Sequence, residues 1–358
     1  MKKILFVSAA AALIGLTGCH KASTTPGSTD DFATLEKTVI TDFANNTALP
    51  QYANLVSAAV SLNSSVASLN TNTTDANLQA AQAAWKTVRG TWEQCEGFLI
   101  GPVEANDYDP NTDTWPTDKT QLDSLLASTN PLQTDDIAAL PQSLRGYHPI
   151  EYMLFGVGGT RTAASLTARE KLYLVSLTAD VLNNNIQPLY QSWTSAPVNY
   201  IQAIITAGAG STTYPKRLDF FLDITGDNGM AGICNEVGSE KMYEPFVAKD
   251  STITESPYSG YTLNDFKNNI IGAQNVYLGL NGGKGLKDLV ASKNKDLDNK
   301  IQAQFTASIS AFNNITLRYE EAIIDQRVQV QQLMTQLGAL KDILDNDLTD
   351  FLKTNVKD

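Results

Sequence analysis

Two histidines, His20 and His148, are all the imidazole chemistry this chain can supply. A metal centre drawing two or three histidines from one subunit is excluded, and with it the HExxH arrangement of zinc peptidases. A bis-histidine haem would have to recruit the N-terminal His20. His148 lies in the run RGYHPIEYMLFG, residues 145–156, three positions before Glu151. On a continuous helix, positions i and i+3 share a face, so both side chains could reach one ion. Pro149 supports a second reading. Proline disfavours helical torsions in the residue before it and favours the first helical position, which predicts His148 as N-cap, Pro149 at N1 and Glu151 at N3. Glu151 would then bond back to the cap backbone N–H, and His148 would be a packed residue. One histidine and one carboxylate make half a metal site, and spacing alone leaves both readings open.

The elements that must position these residues read as helices. Apolar residues recur at three- and four-residue steps over 32–69, with a break expected near Leu49-Pro50. A second helix starts at Asp75 and runs a stripe of Leu78, Ala81, Trp85, Val88, Trp92, Cys95 and Leu99 up to Gly101-Pro102. The run EANDYDPNTDTWP, 104–116, has no periodicity and reads as an ordered loop or lid. Short helices are expected at 118–128, 134–139 and 149–155, then a long one over 166–193 kinked at Pro188. Further candidates are 198–207, 215–223, 228–243 stopped before Pro245, 263–280, and a run over 296–351 too long for one globular helix, expected to split near 317–322. No hairpin pattern stands out. The expectation is an all-α fold built from antiparallel bundles, with a domain boundary in the irregular region around 194–213 that divides the chain into 32–200 and 201–358.

The N-terminus addresses location. Lys2 and Lys3 precede an apolar stretch, Ile4–Leu16, too short to span a bilayer as a permanent helix, which is the pattern of a signal peptide over residues 1–18. It closes in Leu16-Thr17-Gly18-Cys19, which resembles the lipobox of bacterial lipoproteins and predicts lipidation of Cys19. Residues 19–31 are polar and aperiodic and read as a tether, to which His20 belongs. The implied location is the cell envelope, anchored through lipid to a bacterial membrane. Cys95 and Cys234 remain, an even pair in an oxidising compartment, either bridged or buried as free thiols. With 26 Lys and Arg against 38 Asp and Glu, the formal charge of −12 argues against nucleic-acid binding.

Gly146-Tyr147-His148-Pro149-Ile150-Glu151 resembles the GxHxxE signature of imelysin-like proteins, bacterial envelope proteins catalogued as metallopeptidases and linked to iron uptake. The resemblance extends in order through Trp92-Glu93-x-x-Glu96-x-Phe98-x-x-Gly101-Pro102, Asp113-x-Trp115-Pro116, Glu255-Ser256-Pro257-Tyr258-Ser259, Asn268-Asn269-Ile270 and Tyr277-x-Gly279. It implies an all-helical protein of two halves whose motifs meet in a cleft. It nominates His148 and Glu151 as metal ligands with Glu93 or Glu96, which stand three apart on one expected helix. From the second half it nominates Glu255 or Ser259. Cys95 departs from the pattern, standing where a small residue is expected, and could instead tie this motif to Cys234.

Three functions compete. One is a lipid-anchored binding protein for iron or an iron-bearing ligand, with nitrogen from His148 and hard oxygen donors from Glu96 and Glu151; another divalent metal would suit the same donors. Non-covalent haem on His148 is a variant, since no CxxCH attachment motif exists. Iron or haem transport components would then be its partners. The second is a metallopeptidase, whose metal-activated water needs a further carboxylate as base. The third is a metal-free module that grips a peptide, glycan or protein through Tyr108, Trp115, Tyr147 and Tyr258. Asp113 belongs with Trp115 to the cleft-lining set.

Overall fold

A computed structural model describes residues 29–357, and every regular element among them is helical. The expected signal peptide, Cys19, His20 and most of the expected tether lie outside the described residues. The tether expectation overran by three residues, because the first helix is Thr29–Asp42. No helix among the described residues is long and apolar enough to cross a membrane.

The break expected near Pro50 is a wide π-helical turn, Phe43–Ala48, through which the chain stays helical into Leu49–Thr71. Pro50 sits in the first turn of that helix, where a missing N–H costs nothing. A short turn reverses the chain into Asp75–Cys95, whose N-terminus is capped by the Thr74 hydroxyl accepting from the Asn77 N–H at 3.3 Å. These two helices pack along their length, and Leu49–Thr71 also packs on Ala168–Asp180. The stripe from Leu78 to Cys95 is buried throughout, as its period requires.

In the second half, Thr262–Leu278 packs on Met230–Asn235, and Arg327–Asp342 on both Met230–Asn235 and Lys295–Ala311. Two expectations need correcting here. The helix expected to stop before Pro245 continues as Tyr243–Ala248, because Pro245 falls in its first turn. The long C-terminal run breaks at 312–318 and again at Gln326, between Tyr319–Asp325 and Arg327–Asp342. Cys95 and Cys234 are both buried free thiols, so no bridge ties the first motif to the second half. The loop expected over 104–116 contains two short helices, Pro102–Ala105 and Tyr108–Asp113.

The halves meet where Asp75–Cys95 and the turn after it lie against Thr262–Leu278. Glycine makes this approach feasible: a Cβ on Gly97 would stand 2.6 Å from the Gly272 carbonyl carbon, and one on Gly272 would stand 2.4 Å from the Gln94 oxygen. At this seam the two halves are in backbone contact, and one buried apolar cluster runs through both.

Candidate metal centre

Six carboxyl groups, from Glu93, Glu96, Asp113, Glu151, Glu255 and Asp265, are buried at this seam together with His148, Arg89 and Lys241. Asp75–Cys95 supplies Arg89 and Glu93 one turn apart, and Glu96 follows in a tight 3₁₀ turn, Glu96–Phe98. Asp113 ends Tyr108–Asp113, and Lys241 closes a wide π turn, Glu236–Lys241. Asp265 and Asn269 project from Thr262–Leu278 one turn apart.

Gly146 decides the orientation of His148 and Glu151. Its φ of +75° is left-handed, and a Cβ there would lie 2.0 Å from the Thr112 carbonyl oxygen, so only glycine fits. This glycine is the N-cap of Tyr147–Phe155, which starts the helix earlier than Pro149 suggests. His148 is therefore inside the first turn rather than capping it, and Glu151 lies beyond N3. The capping-box reading is overturned. Glu151 Oε1 instead accepts from the backbone N–H groups of Tyr258 at 3.1 Å and Ser259 at 2.7 Å, across the seam.

At the centre, the Arg89 guanidinium donates to Asp113 and Glu93 and reaches Glu255 Oε1 at 3.1 Å, with Asp265 Oδ1 3.7 Å from its Nε. Its face lies 5.3 Å from the Tyr147 ring centroid, a cation–π contact. Glu93 and Glu96 face one donor, the Asn269 amide, at 2.5 Å and 2.6 Å. The Trp92 indole N–H donates to both Glu96 and Asp113 at 2.8 Å. Lys241 Nζ lies 3.4 Å from Glu255 and 3.1 Å from Glu236.

His148 Nε2 stands 3.0 Å from Asp113 Oδ1 and 3.6 Å from Glu255 Oε1 without hydrogen-bond alignment to either. His148 Nδ1, Glu151 Oε2 and Glu255 Oε2 are also buried without a hydrogen-bond partner. Buried polar atoms in native proteins are nearly always satisfied, so these orphans clustered around one imidazole are a signal. Donor atoms of Asp113, His148 and Glu255 lie within 4.8 Å of one another, as do those of Glu93, Glu96 and Asp113.

The charge balance points the same way. Six carboxyl groups face two permanent cations, an excess of four negative charges if all ionise and His148 is neutral. Burying that excess is costly, and the carboxyl groups respond by holding protons. Burial pushes Glu96 and Asp265 well above the usual carboxylate range, Glu96 further raised by Glu93 and Asp265 partly relieved by Arg89. Burial also raises Glu93 against the pull of Arg89. Glu151 is pushed up to about 7 by burial, against the lowering effect of His148 and Ser259. Asp113 alone goes the other way: burial works to raise it, but Arg89 and His148 outweigh that and hold it below its ordinary value. Protons on these carboxyl groups are what a multivalent cation would displace.

The remaining expected residues divide. Trp115 ties the first half to the second through its indole N–H, which donates to the Thr254 carbonyl at 2.8 Å. Together with His148, Glu151, Glu255 and Tyr258 it lines a small hollow of about 10 Å³. Tyr147 is buried beneath Arg89 and presents no ring to a ligand. Ser259 contributes its backbone N–H to Glu151, while its hydroxyl accepts from the Tyr261 N–H at 3.2 Å. A hollow of this size has room for about one water, so haem on His148 does not fit. Sequence reading missed Arg89, Lys241 and Asp265, and it placed Asn269 in a motif without a role at the site. Arg89, four residues before Glu93 on one helix, was the readable signal among these.

Comparison with known proteins gives consistent results. A curated relative, "Iron-regulated protein A" of Synechococcus elongatus, is 27% identical over 329 residues, covering 90% of this chain and 88% of the relative. A crystal structure described as an iron-regulated protein A precursor from Parabacteroides distasonis superposes with a TM-score of 0.80 at 26% identity, covering 94% of this chain and 97% of that one. An imelysin-like protein from Psychrobacter arcticum shares the fold, with a TM-score of 0.70 at 14% identity over 90% of this chain and 96% of that one. The imelysin family profile matches residues 48–345, and the chain belongs to the imelysin family.

Proposed function

We propose that this protein binds an iron ion in the buried cluster, with His148, Asp113 and Glu255 as the nearest donor set and Glu151 beside them. The observation that carries the reading is the group of orphaned donor atoms around His148 within a carboxylate excess. One imidazole among carboxylates suits iron better than a soft metal, and the set is open to other divalent ions of similar preference. The names of two relatives refer to regulation by iron, which supports a role where iron supply matters. Glu93 and Glu96, joined through Asn269, form a second carboxylate pair that shares Asp113 with the first.

Binding is favoured over peptide hydrolysis because a hollow of about 10 Å³ beside His148 admits no peptide backbone. It is favoured over a metal-free aromatic platform because Tyr147 is buried and Trp115 is engaged with Thr254. The lipobox-like Leu16-Thr17-Gly18-Cys19 supports the further reading that the protein works at the envelope, anchored by lipid on Cys19. Iron or haem transport components remain its proposed partners.

Calorimetric titration of iron and of zinc into the mature chain tests the reading, with His148→Ala and Glu151→Gln as controls. The expected result is tight iron binding in the wild type, lost in His148→Ala and weakened well over tenfold in Glu151→Gln. Equal affinities in all three proteins would defeat it.

A further inference from the structure

The donor atoms buried at the seam fall into two sets that meet at one residue, Asp113. Its two oxygens serve different neighbours. Oδ1 stands 3.0 Å from His148 Nε2, in the set with Glu255, and accepts from Arg89. Oδ2 accepts from the Trp92 indole N–H at 2.8 Å, and the same N–H reaches Glu96 Oε1 at 2.8 Å. A carboxylate turned to two donor sets in this way is placed to bridge two cations.

In the second set, Glu93 Oε2 and Glu96 Oε2 converge on a single atom, the Asn269 amide nitrogen, at 2.5 Å and 2.6 Å. Asn269 is fully buried, and its Oδ1 has no hydrogen-bond partner. A residue kept only to donate to two acids would strand a buried acceptor, which native proteins rarely do. An amide oxygen is also a hard donor that suits the same cations as a carboxylate. With the amide turned over, that oxygen faces the point where the two carboxylates converge. Arg89 and Trp92 hold the other oxygens, Glu93 Oε1 and Glu96 Oε1, and so orient both carboxylates from behind.

Charge sets the number of ions. The six buried carboxyl groups, less Arg89 and Lys241, carry an excess of four negative charges when ionised. One divalent ion beside His148 cancels two of these, and the remaining two match a second. Lys241 pairs with Glu255 and Glu236, and Arg89 with Glu93, Asp113, Glu255 and Asp265, so no cation pairs with Glu96 among the described residues.

We propose that the cluster is a two-ion centre, in which a second divalent cation is held by Glu93, Glu96 and the Asn269 side-chain oxygen and bridged to the first through Asp113. This rests on the proposed iron reading of the His148 set. The two cations repel across Asp113 and the second set has no imidazole, so the second ion is the weaker and fills after the first.

Mn²⁺ is the probe, because it favours oxygen donors and its spin reports a neighbouring ion. Titration into the mature chain, followed by EPR, is expected to give two bound ions per chain, one tighter, with magnetic coupling between them in the loaded protein. Glu96→Gln, similar in size and uncharged, is expected to keep the tighter ion, weaken the other roughly tenfold or more, and remove the coupling at matched Mn²⁺. Asn269→Asp, which offers an oxygen in either orientation, is expected to tighten the weaker ion severalfold. His148→Ala is expected to lose the tighter ion. A single ion, lost in His148→Ala and unmoved by Glu96→Gln, would reject the second site and spare the first. A single ion kept in His148→Ala and lost in Glu96→Gln would reject the His148 site and the bridge with it. Two ions without magnetic coupling would place the second away from Asp113 and overturn the inference. No bound Mn²⁺ at millimolar concentration would also overturn it, and the iron titration then decides the first site by itself.

Discussion

Arg89 places a fixed positive charge among Asp113, Glu93 and Glu255, where an incoming metal would also need carboxylate oxygens. It keeps the cluster foldable without metal, yet one arginine and one lysine leave most of the negative charge to be quenched by protons. That has a consequence for stability. Glu151 has an ordinary value of 4.5 and is raised to about 7 in the fold, so the unfolded chain releases this proton first as pH rises. Stability from this group is full below pH 4.5, is lost between 4.5 and 7, and stays lost above. The loss amounts to about 3 kcal/mol. Glu93, Glu96 and Asp265 are shifted in the same direction and add to it. Thermal unfolding of the metal-free protein is therefore expected to give a higher Tm at pH 5.5 than at pH 8. Glu151→Gln, which keeps an acceptor for the Tyr258 and Ser259 N–H groups but carries no charge, is expected to raise the Tm at pH 8 and flatten the pH slope. An unchanged slope in that variant would show that Glu151 does not hold its proton.

Among the elements, the seam between Asp75–Cys95 and Thr262–Leu278 sets the spacing of Glu93 and Glu96 from Asn269. Gly272→Ala would drive a methyl group into the Gln94 carbonyl, and overpacking of this kind costs about 1–3 kcal/mol. Denaturant unfolding is expected to show that loss, and iron titration a weaker site, because separating the helices pulls Asn269 away from both carboxylates. Full affinity in a destabilised Gly272→Ala would detach the site from the seam. Helix identity was legible in the sequence wherever a long apolar stripe existed, as from Leu78 to Cys95. Helix starts near proline were not. His148 looked like an N-cap because proline is favoured at N1, but Gly146, packed close against Thr112 at a φ that suits glycine, takes the cap and starts the helix earlier. Pro149 and Pro245 are tolerated because first-turn N–H groups have no intrahelical acceptor to lose.

For the molecule as a whole, the residues of the candidate site come from segments between Arg89 and Asn269, and what unites them is tertiary packing that a sequence alone does not display. The motifs pointed to His148, Glu151, Glu93, Glu96, Asp113 and Glu255. Arg89, Lys241 and Asp265 stayed hidden because charged side chains usually face water, and only their burial marks them as part of the cluster. The N-terminal reading is independent of that packing. Cys19→Ala is expected to abolish membrane partitioning of the mature protein in cell fractionation, since stable anchoring needs the acyl chains on that residue. Unchanged partitioning in the variant would remove the lipoprotein assignment while leaving the metal site untouched.

The central claim is that iron binds within this buried cluster. Anomalous diffraction at the iron absorption edge, from crystals grown with ferrous iron, addresses it directly. The account predicts one strong peak within bonding distance of His148 and the Asp113 and Glu255 carboxylates, absent in His148→Ala. A peak elsewhere on the molecule, or none at full iron occupancy of the solution, would contradict it.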